Sequence, residues 1–574
     1  MPATDFQARI VPAAAAGRLT ASGLDPVLAR VYAARGVESA AELGCDPALL
    51  LAPGSMRGLD QAARLLADAI EAGARLMIVA DYDCDGATAC AIGLRALSAF
   101  GARVDFIVPN RFEYGYGLTP EIVRLAAAHP GGRPDWLVTV DNGIASVDGV
   151  AEATRLGMRT LVTDHHLPGE RLPDAACIVN PNQPGCPFPS KHLAGCGVMF
   201  YAMLALRAEL RARGRFATRA EPNFAALADL VALGTVADVV PLDRNNRLLV
   251  SLGLARIRAA RASPGIRALL AVAGRSVEHV AAHDLGYAVA PRINAAGRLT
   301  DMTLGIECLA TDDEDRAARI ARELDRLNRD RREIEAGMRE QAFAALEAIE
   351  AAAAAGAERA SICVYEPDWH QGVIGIVAGR VKDRAHRPAI AFARASDGEL
   401  KGSGRSIAAL HLRDALDLVS KREPDLLLRF GGHAAAAGLA IRETDYERFA
   451  TAFERVASEW LSPPDLERVV ETDGALAPGE ITLDLARALE RPVWGHGFPA
   501  PEFENEFRVT RQRIVGERHL RLELERDGRR YAGILFGQTG PLPEAIRAVY
   551  RPQVHRWQGA EDLQVTIAHW RPAR

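Results

Sequence analysis

No Cys-x-x-Cys pair occurs among the eight cysteines of this 574-residue chain, which removes the commonest zinc and dithiol redox sites. Cys186, His192 and Cys196 lack a fourth zinc ligand and read as part of a loop. Scattered, unpaired cysteines suit a reducing compartment, so a cytoplasmic protein is expected. No string follows Gly-x4-Gly-Lys-Ser/Thr, and Gly195-Cys-Gly197 lacks the third glycine of a dinucleotide fingerprint. ATP- or NAD-driven chemistry is therefore not expected. No apolar run approaches the roughly 20 residues of a membrane span, and Met1-Pro-Ala-Thr-Asp-Phe6 is no basic-then-apolar leader. There is no basic excess either. The net charge of −5 argues against a protein that coats nucleic acid indiscriminately. Local arginines remain compatible with it, because acidic site residues offset them in the sum. Hydrophobic residues at 49% and charged residues at 25% make an ordinary globular composition, and the length implies three or four domains.

What is present begins with Asp81-Tyr-Asp83-Cys-Asp85-Gly86, which follows the apolar run Leu76-Met-Ile-Val-Ala80. Such a run reads as a central parallel strand. Carboxylates at i, i+2 and i+4 project from one side of an extended segment. Without cations they repel one another and resist ionising. Hard divalent metals relieve that repulsion through oxygen ligands. A solvated acidic turn is the plain alternative. A calcium loop is a poor one, since the further ligands and the twelfth-position Glu are missing.

The same logic recurs twice. Asp135-Trp-Leu-Val-Thr-Val140 ends in Asp141-Asn142-Gly143, and Met158-Arg-Thr-Leu-Val-Thr163 ends in Asp164-His165-His166. In an open parallel sheet, ligands gather outside the carboxyl ends of strands. One crevice therefore receives Asp81, Asp83, Asp85, Asp141, Asp164, His165 and His166. A lone His-His pair or a lone Asp-Asn-Gly would carry little weight; recurrence at strand ends raises it. Mixed carboxylate and imidazole ligands favour Mn²⁺ or a similar ion over Ca²⁺. The ligands suffice for two ions about 3.5–4 Å apart, an arrangement suited to phosphoryl displacement.

Asp-x-Asp-x-Asp-Gly, Asp-Asn-Gly and Asp-His-His together resemble the DHH phosphoesterase superfamily. Asp238 in Gly234-Thr-Val-Ala-Asp238-Val-Val-Pro241 supplies its fourth element. The likeness is strongest to the single-strand-specific exonuclease branch. It rests on Phe112-Glu-Tyr-Gly-Tyr-Gly117, Ala290-Pro-Arg292-Ile-Asn294-Ala-Ala-Gly297-Arg298, His370-Gln-Gly-Val-Ile-Gly375-Ile-Val-Ala-Gly379-Arg380, Gly402-Ser-Gly-Arg405-Ser406 and Gly431-Gly-His433. By that resemblance, Asp83, Asp85, Asp141, His165 and Asp238 match metal-binding positions, with Asp81 beside them as a ligand or as a support for one. His166 matches the histidine that faces the scissile phosphate. Asn294, Arg298, Arg380, Ser403, Arg405 and His433 fall in its substrate-binding motifs. The implied cofactors are two Mn²⁺ or Mg²⁺ ions.

The expected fold class is α/β in several parts. Residues 1–55 read as a helical segment, and 56–311 as alternating strand and helix around a parallel sheet, the DHH domain. Leu227 to Val236 reads as the helix that brings Asp238 to the crevice. Residues 312–356 form one long amphipathic helix or two in series, with Ile320, Leu324, Leu327, Ile334 and Met338 on the apolar face and Arg331 in the polar gap. Residues 357–464 read as a smaller α/β domain of the DHHA1 kind, whose glycine strings would let backbone approach phosphates. Residues 465–574 read as a small β-barrel of the OB kind, from the alternation at Leu520, Leu522, Leu524 and at Leu563, Val565, Ile567. Tyr531, Tyr550, Trp557 and Trp570, with Arg529, Arg530, Arg551 and Arg556, are candidates to stack bases and meet phosphates; at least half of the aromatics are expected in the core.

The residues point to a metal-dependent phosphodiesterase, and the resemblance implies an exonuclease of single-stranded DNA serving repair and recombination. Its 5′→3′ direction is implied by the resemblance alone. A narrow cleft between the α/β domains would exclude duplexes. The alternatives are a phosphodiesterase of cyclic dinucleotides or very short oligonucleotides, and a catalytically inactive DNA-binding scaffold. Single-stranded DNA is the expected partner, with a single-strand-binding protein or a helicase as candidate protein partners, no membrane, and a monomeric state.

Overall fold

The computed structural model describes residues 4–115, 117–217, 219–353, 359–395 and 398–573. They form two compact units, one of residues 8–328 with 472–573 and one of residues 4–7 with 329–471.

In the larger unit, β1 (Arg75–Ala80), β2 (Arg103–Ile107), β3 (Trp136–Val140), β4 (Arg159–Thr163) and β5 (Cys177–Val179) make a parallel sheet in the order β2-β1-β3-β4-β5. The apolar runs are nearly continuous because both faces are covered. Ile78, Val138 and Leu161 face one core, while Met77, Val79 and Leu137 face another that contains Ile122 and Val150. The strand order reverses between β1 and β3, the switch point at which ligands lodge in such sheets. Four helices frame that point: α1 (Cys84–Phe100), α2 (Gly195–Ala212), α3 (Ala228–Ala237) and α4 (Ala290–Leu299). Helix α3 lies within one residue of the expected Leu227–Val236, and Asp238 is its C-cap.

The first 55 residues are helical only in part. Ala13–Ala21 and Pro26–Ala33 are helices, the second capped by Asp25 with Pro26 in its first turn. Thr4–Ala8 is a strand paired with Arg468–Thr472, and its alternation of exposed Asp5 and Gln7 with buried Phe6 fits that state. The connecting segment is a single helix, α5 (Glu314–Ala353); residues 354–356 of the expected helix lie outside the described residues.

The smaller unit contains β6 (Ile362–Tyr365), α6 (Ile374–Ala385), β7 (Ala389–Arg394), β8 (Glu399–Arg405), β9 (Arg429–Gly432) and β10 (Ala436–Arg442). Its mixed sheet runs β9-β10-β8-β7-β6, parallel only between β6 and β7. One expectation needs correcting here. Gly402 and Gly404 are not a phosphate loop but interior positions of β8. A Cβ on Gly402 would stand 2.6 Å from Phe392, and one on Gly404 2.7 Å from Leu412. These glycines make room for the core.

The last five strands are β11 (Phe503–Val515), β12 (His519–Arg526), β13 (Arg529–Leu535), β14 (Ala545–Trp557) and β15 (Ala560–Pro572). They close in the order β11-β12-β13-β15-β14, with β13 and β15 parallel, which is the OB topology. Asp527 and Gly528 both adopt positive φ, as a two-residue hairpin turn requires. The barrel is not a detachable module. Val27 and Val31 sit in its core, Tyr32 stacks on Trp494 and Phe498, and Arg35 forks onto Asp473 at 2.6 and 2.9 Å. Of the four candidate stacking aromatics, Tyr550 is fully buried and donates to Asn505, Tyr531 and Trp570 are half-buried, and Trp557 is exposed. Arg556 is taken up by Glu490 and Glu561, and Arg551 by Glu502.

Candidate metal centre

The turn after β1 folds back into α1, and the acidic motif is part of the helix start. Asp83 is the N-cap, its Oδ1 accepting from the Asp85 and Gly86 N–H groups at 2.9 and 3.0 Å. Asp85 is buried and accepts from the Gly195 and Cys196 N–H groups at 2.6 and 2.9 Å, where α2 begins. Asp81 accepts from the N–H of Tyr82. After β3, Asp141 takes a left-handed backbone (φ 63°) that an aspartate tolerates, and its carboxylate is 1% exposed. Asn142 fastens this turn by donating to the carbonyls of Val79 and Val140, across the switch point.

After β4, Asp164 organises both histidines. Its Oδ1 accepts from the His165 and His166 N–H groups, at 2.7 and 3.1 Å, and lies 2.8 Å from His166 Nδ1; its Oδ2 accepts from Ile144 N–H at 2.9 Å. Asn182 and Asn180 donate to the carbonyls of His165 and His166. His165 Nε2 ends 3.1 Å from Asp141 Oδ1 and 3.4 Å from Asp238 Oδ2. The candidate ligands thus reach the crevice from the ends of β1, β3 and β4 and from the end of α3.

The donors form three overlapping groups, each with its ligand atoms within 4.8 Å of one another: Asp141, His165, His166; Asp85, His165, Asp238; and Asp81, Asp83, Asp141. Shared members join them into one centre. Its electrostatics ask for cations. Burial, then the charges of Asp85, Asp83 and Asp238, hold the Asp141 carboxyl well above the usual range. Burial, then Asp85, Asp83 and Asp81, do the same to Asp238, whose buried Oδ2 receives no hydrogen bond among the described residues. Burial and Asp83 push Asp85 up to about 6. A cluster of carboxylates this close stays ionised only with positive charge among them. Oxygen and imidazole donors in this number fit Mn²⁺ or Mg²⁺. The candidate zinc set does not form: Cys186 accepts from Arg57 N–H, and Cys196 donates to the Val231 carbonyl.

His166 differs from His165 in kind. Burial works against a proton on its ring, but the hydrogen bond to Asp164, with the charges of Asp164, Asp81 and Asp83, pushes it up to about 9. Asp164 itself is lowered: the His166 bond and charge, with the Ile144 N–H, overcome its own burial. Asp164 was legible as the first letter of Asp-His-His, but its work on the two histidines needs the turn geometry.

Of the expected substrate-binding residues, Asn294 braces the metal turn: its Oδ1 accepts from Cys84 N–H at 2.8 Å. Three residues on, Gly297 lies so close that a Cβ would stand 2.2 Å from the Tyr82 carbonyl. Arg298 follows in the last turn of α4, half-exposed. In the smaller unit, Ser403 and Arg405 come together on β8, with Arg405 Nη1 3.2 Å from Ser403 Oγ. Gly375 of α6 faces both, an added Cβ lying 2.9 Å from each. His433 joins them at the turn between β9 and β10, its N–H bonded to Ala436, which pairs with Arg405. Arg380 points elsewhere on α6, donating through Nε to Glu335 of α5 at 3.1 Å. Tyr116 and the Phe112 side chain, from the Phe112–Gly117 string, lie outside the described residues.

Comparison with known proteins agrees with this architecture. Residues 75–235 match the DHH family, N-terminal domain; 359–459 match the DHHA1 domain; and 472–569 match the RecJ OB domain. The chain is 50% identical over 560 residues to the single-stranded-DNA-specific exonuclease RecJ of Dickeya dadantii, covering 96% of each chain. It is 47% identical to the protein of the same description from Escherichia coli, covering 95% of each. Among solved structures, RecJ from Thermus thermophilus in complex with Mn²⁺ superimposes with a TM-score of 0.83 at 31% identity, over 100% of this chain and 80% of that one. A three-part match in this order, with identity of this extent, places the chain in the RecJ family of DHH phosphoesterases.

Proposed function

We propose that this protein is a divalent-metal-dependent exonuclease that hydrolyses phosphodiester bonds of single-stranded DNA in repair and recombination. The observation that carries the reading is the joining of three donor groups at one strand switch point, one of them including a histidine held by a buried aspartate. Asp81, Asp83, Asp85, Asp141, His165 and Asp238 would hold two Mn²⁺ or Mg²⁺ ions. Bound there, such ions polarise the scissile phosphate and acidify water. The chain's own contribution is positional. Asp83 and Asp85 are fixed by backbone N–H groups, so the acidic turn cannot relax away from the centre. His166 is anchored through Nδ1, which would leave Nε2 to donate to the non-bridging oxygen whose charge rises in the transition state. Arg298, Ser403, Arg405 and His433 would contact the strand's phosphates. Arg380 would do so while bonded to Glu335, and Asn294 serves the site by holding the metal turn.

The 5′→3′ direction, a monomeric state, a cytoplasmic location, and supply of the strand by a helicase or a single-strand-binding protein belong to the same reading. No described helix is long and apolar enough to cross a membrane. The test is degradation of end-labelled single strands, duplexes and dinucleotides with Mn²⁺. Release of mononucleotides from the 5′ end of long single strands, with duplexes spared, is expected. Cleavage of dinucleotides alone would overturn the reading.

A further inference from the structure

Three large apolar side chains stand exposed beside the metal centre, and nothing in the chemistry described above uses them. Leu167, 64% exposed, directly follows His166; Val239, 62% exposed, directly follows Asp238. Since His165 and Asp238 approach to 3.4 Å and the two histidine rings lie 4.5 Å apart, the two residues flank one centre. Tyr287 is 81% exposed, at the middle of a π-helical turn, Leu285–Val289. That turn lies on the last turn of α3, where a Cβ on Gly286 would stand 3.1 Å from Val236. Leu285, Ala288 and Val289 are buried, so the turn throws out its tyrosine. Single-turn π segments inside helices occur frequently at functional sites.

Val239 adds an independent sign. It follows the C-cap of α3 with φ at +60°. Glycine normally fills that left-handed position, and a β-branched residue there is a marked outlier. Strain of this kind persists where the surroundings enforce it, and it clusters at functional sites. A glycine would relieve it at little cost in contacts, because most of the valine already faces solvent.

We infer that Leu167, Val239 and Tyr287 form an apolar rim that grips the bases on either side of the scissile phosphate. This rests on the single-strand nuclease reading and names what its active site holds besides phosphate. A single strand offers phosphates, sugars, and the polar edges and flat apolar faces of its bases. Charged groups serve the phosphates; an aliphatic pair and an aromatic ring serve base faces without reading sequence. An intact duplex keeps those faces stacked, so a rim of this kind rewards strands whose bases are already open.

The test compares V239G, L167A and Y287A with wild type on a normal single strand and on one carrying abasic residues at the two nucleotides nearest the cleaved end. On the normal strand Y287A should raise KM about ten-fold, the effect of one lost stacking contact, and V239G and L167A should raise it in the same direction. On the abasic strand wild type should already be impaired, and the variants should add little. V239G should also melt higher than wild type, because strain is removed, so stability and substrate binding should move in opposite directions. Equal losses on both strands, or unchanged KM in all three variants, would overturn the rim. Wild type failing to cleave any single strand would instead overturn the nuclease reading beneath it.

Discussion

At the scale of the residue, the site divides into groups that hold charge and groups that hold those groups. Asp83→Ala or Asp141→Ala should lower cleavage by more than about 100-fold, beyond the 10–100-fold typical of residues acting through a ligand. Metal content and circular dichroism would distinguish this from unfolding; activity retained with full metal content would contradict the assignment. Asp164→Asn keeps an acceptor for the His165 and His166 N–H groups, but it removes the charge beside His166 and turns an NH2 toward the Ile144 N–H. It should lower kcat by about 10–100-fold with KM little changed, which steady-state kinetics on a single strand would show.

The carboxylates also predict a pH dependence for the metal-free protein. Asp85 is pushed up to about 6, and Asp141 and Asp238 well above their ordinary range, so the folded state binds more protons than the unfolded one. Stability should therefore be greatest below about pH 4 with respect to these groups and fall as pH rises toward 6 and beyond. Chelated protein should lose melting temperature over that interval, and Mn²⁺ should restore it increasingly as protons leave. A chelated protein with flat stability there would show that the cluster is not crowded.

The element scale explains why ordinary loops hold this geometry. The N-terminus of α2 closes on the centre: Gly195 donates to Asp85, and a Cβ on Gly195 would lie 2.5 Å from Asp141 Oδ1. Gly195→Ala should cost about 1–3 kcal/mol of stability through overpacking. It should also weaken Mn²⁺ binding, measurable by calorimetry, because the atom displaced belongs to a candidate ligand. In the sequence this glycine looked like a failed nucleotide fingerprint. Asn294 and Gly297 were likewise legible as a motif and not as a brace, since their partners lie more than 200 residues away.

For the whole molecule, the helix Pro26–Ala33 ties the barrel to the sheet domain, with Val27 and Val31 in the barrel core and Tyr32 in the sheet core, so the barrel cannot be removed cleanly. Deleting the chain from residue 472 would expose Val27, Val31 and Tyr32 and strand Arg35, whose side chain is 2% exposed, without Asp473. Orphaning one partner of a buried pair costs about 3–5 kcal/mol. The truncated protein should melt far below the full chain, or fail to fold, when followed by calorimetry. A truncation that unfolds at the full-length temperature would show the two parts to be independent.

What the sequence determined by itself was periodic or local. Apolar runs ending in acidic strings marked three of the five parallel strands, three- and four-residue spacing marked α5, and alternation marked barrel strands. Short-range chemistry of this kind is written in consecutive residues. The tertiary structure decided what depends on distant partners. It made Asp83 a helix cap, Asp164 the anchor of His166 and Asn294 the support of the metal turn. It also placed Gly402 and Gly404 in a packed strand, and Thr4–Ala8 in a two-stranded sheet. In most of these cases hydrogen bonds or close packing with residues remote in the chain set the role, and residue type alone carries no record of that pairing.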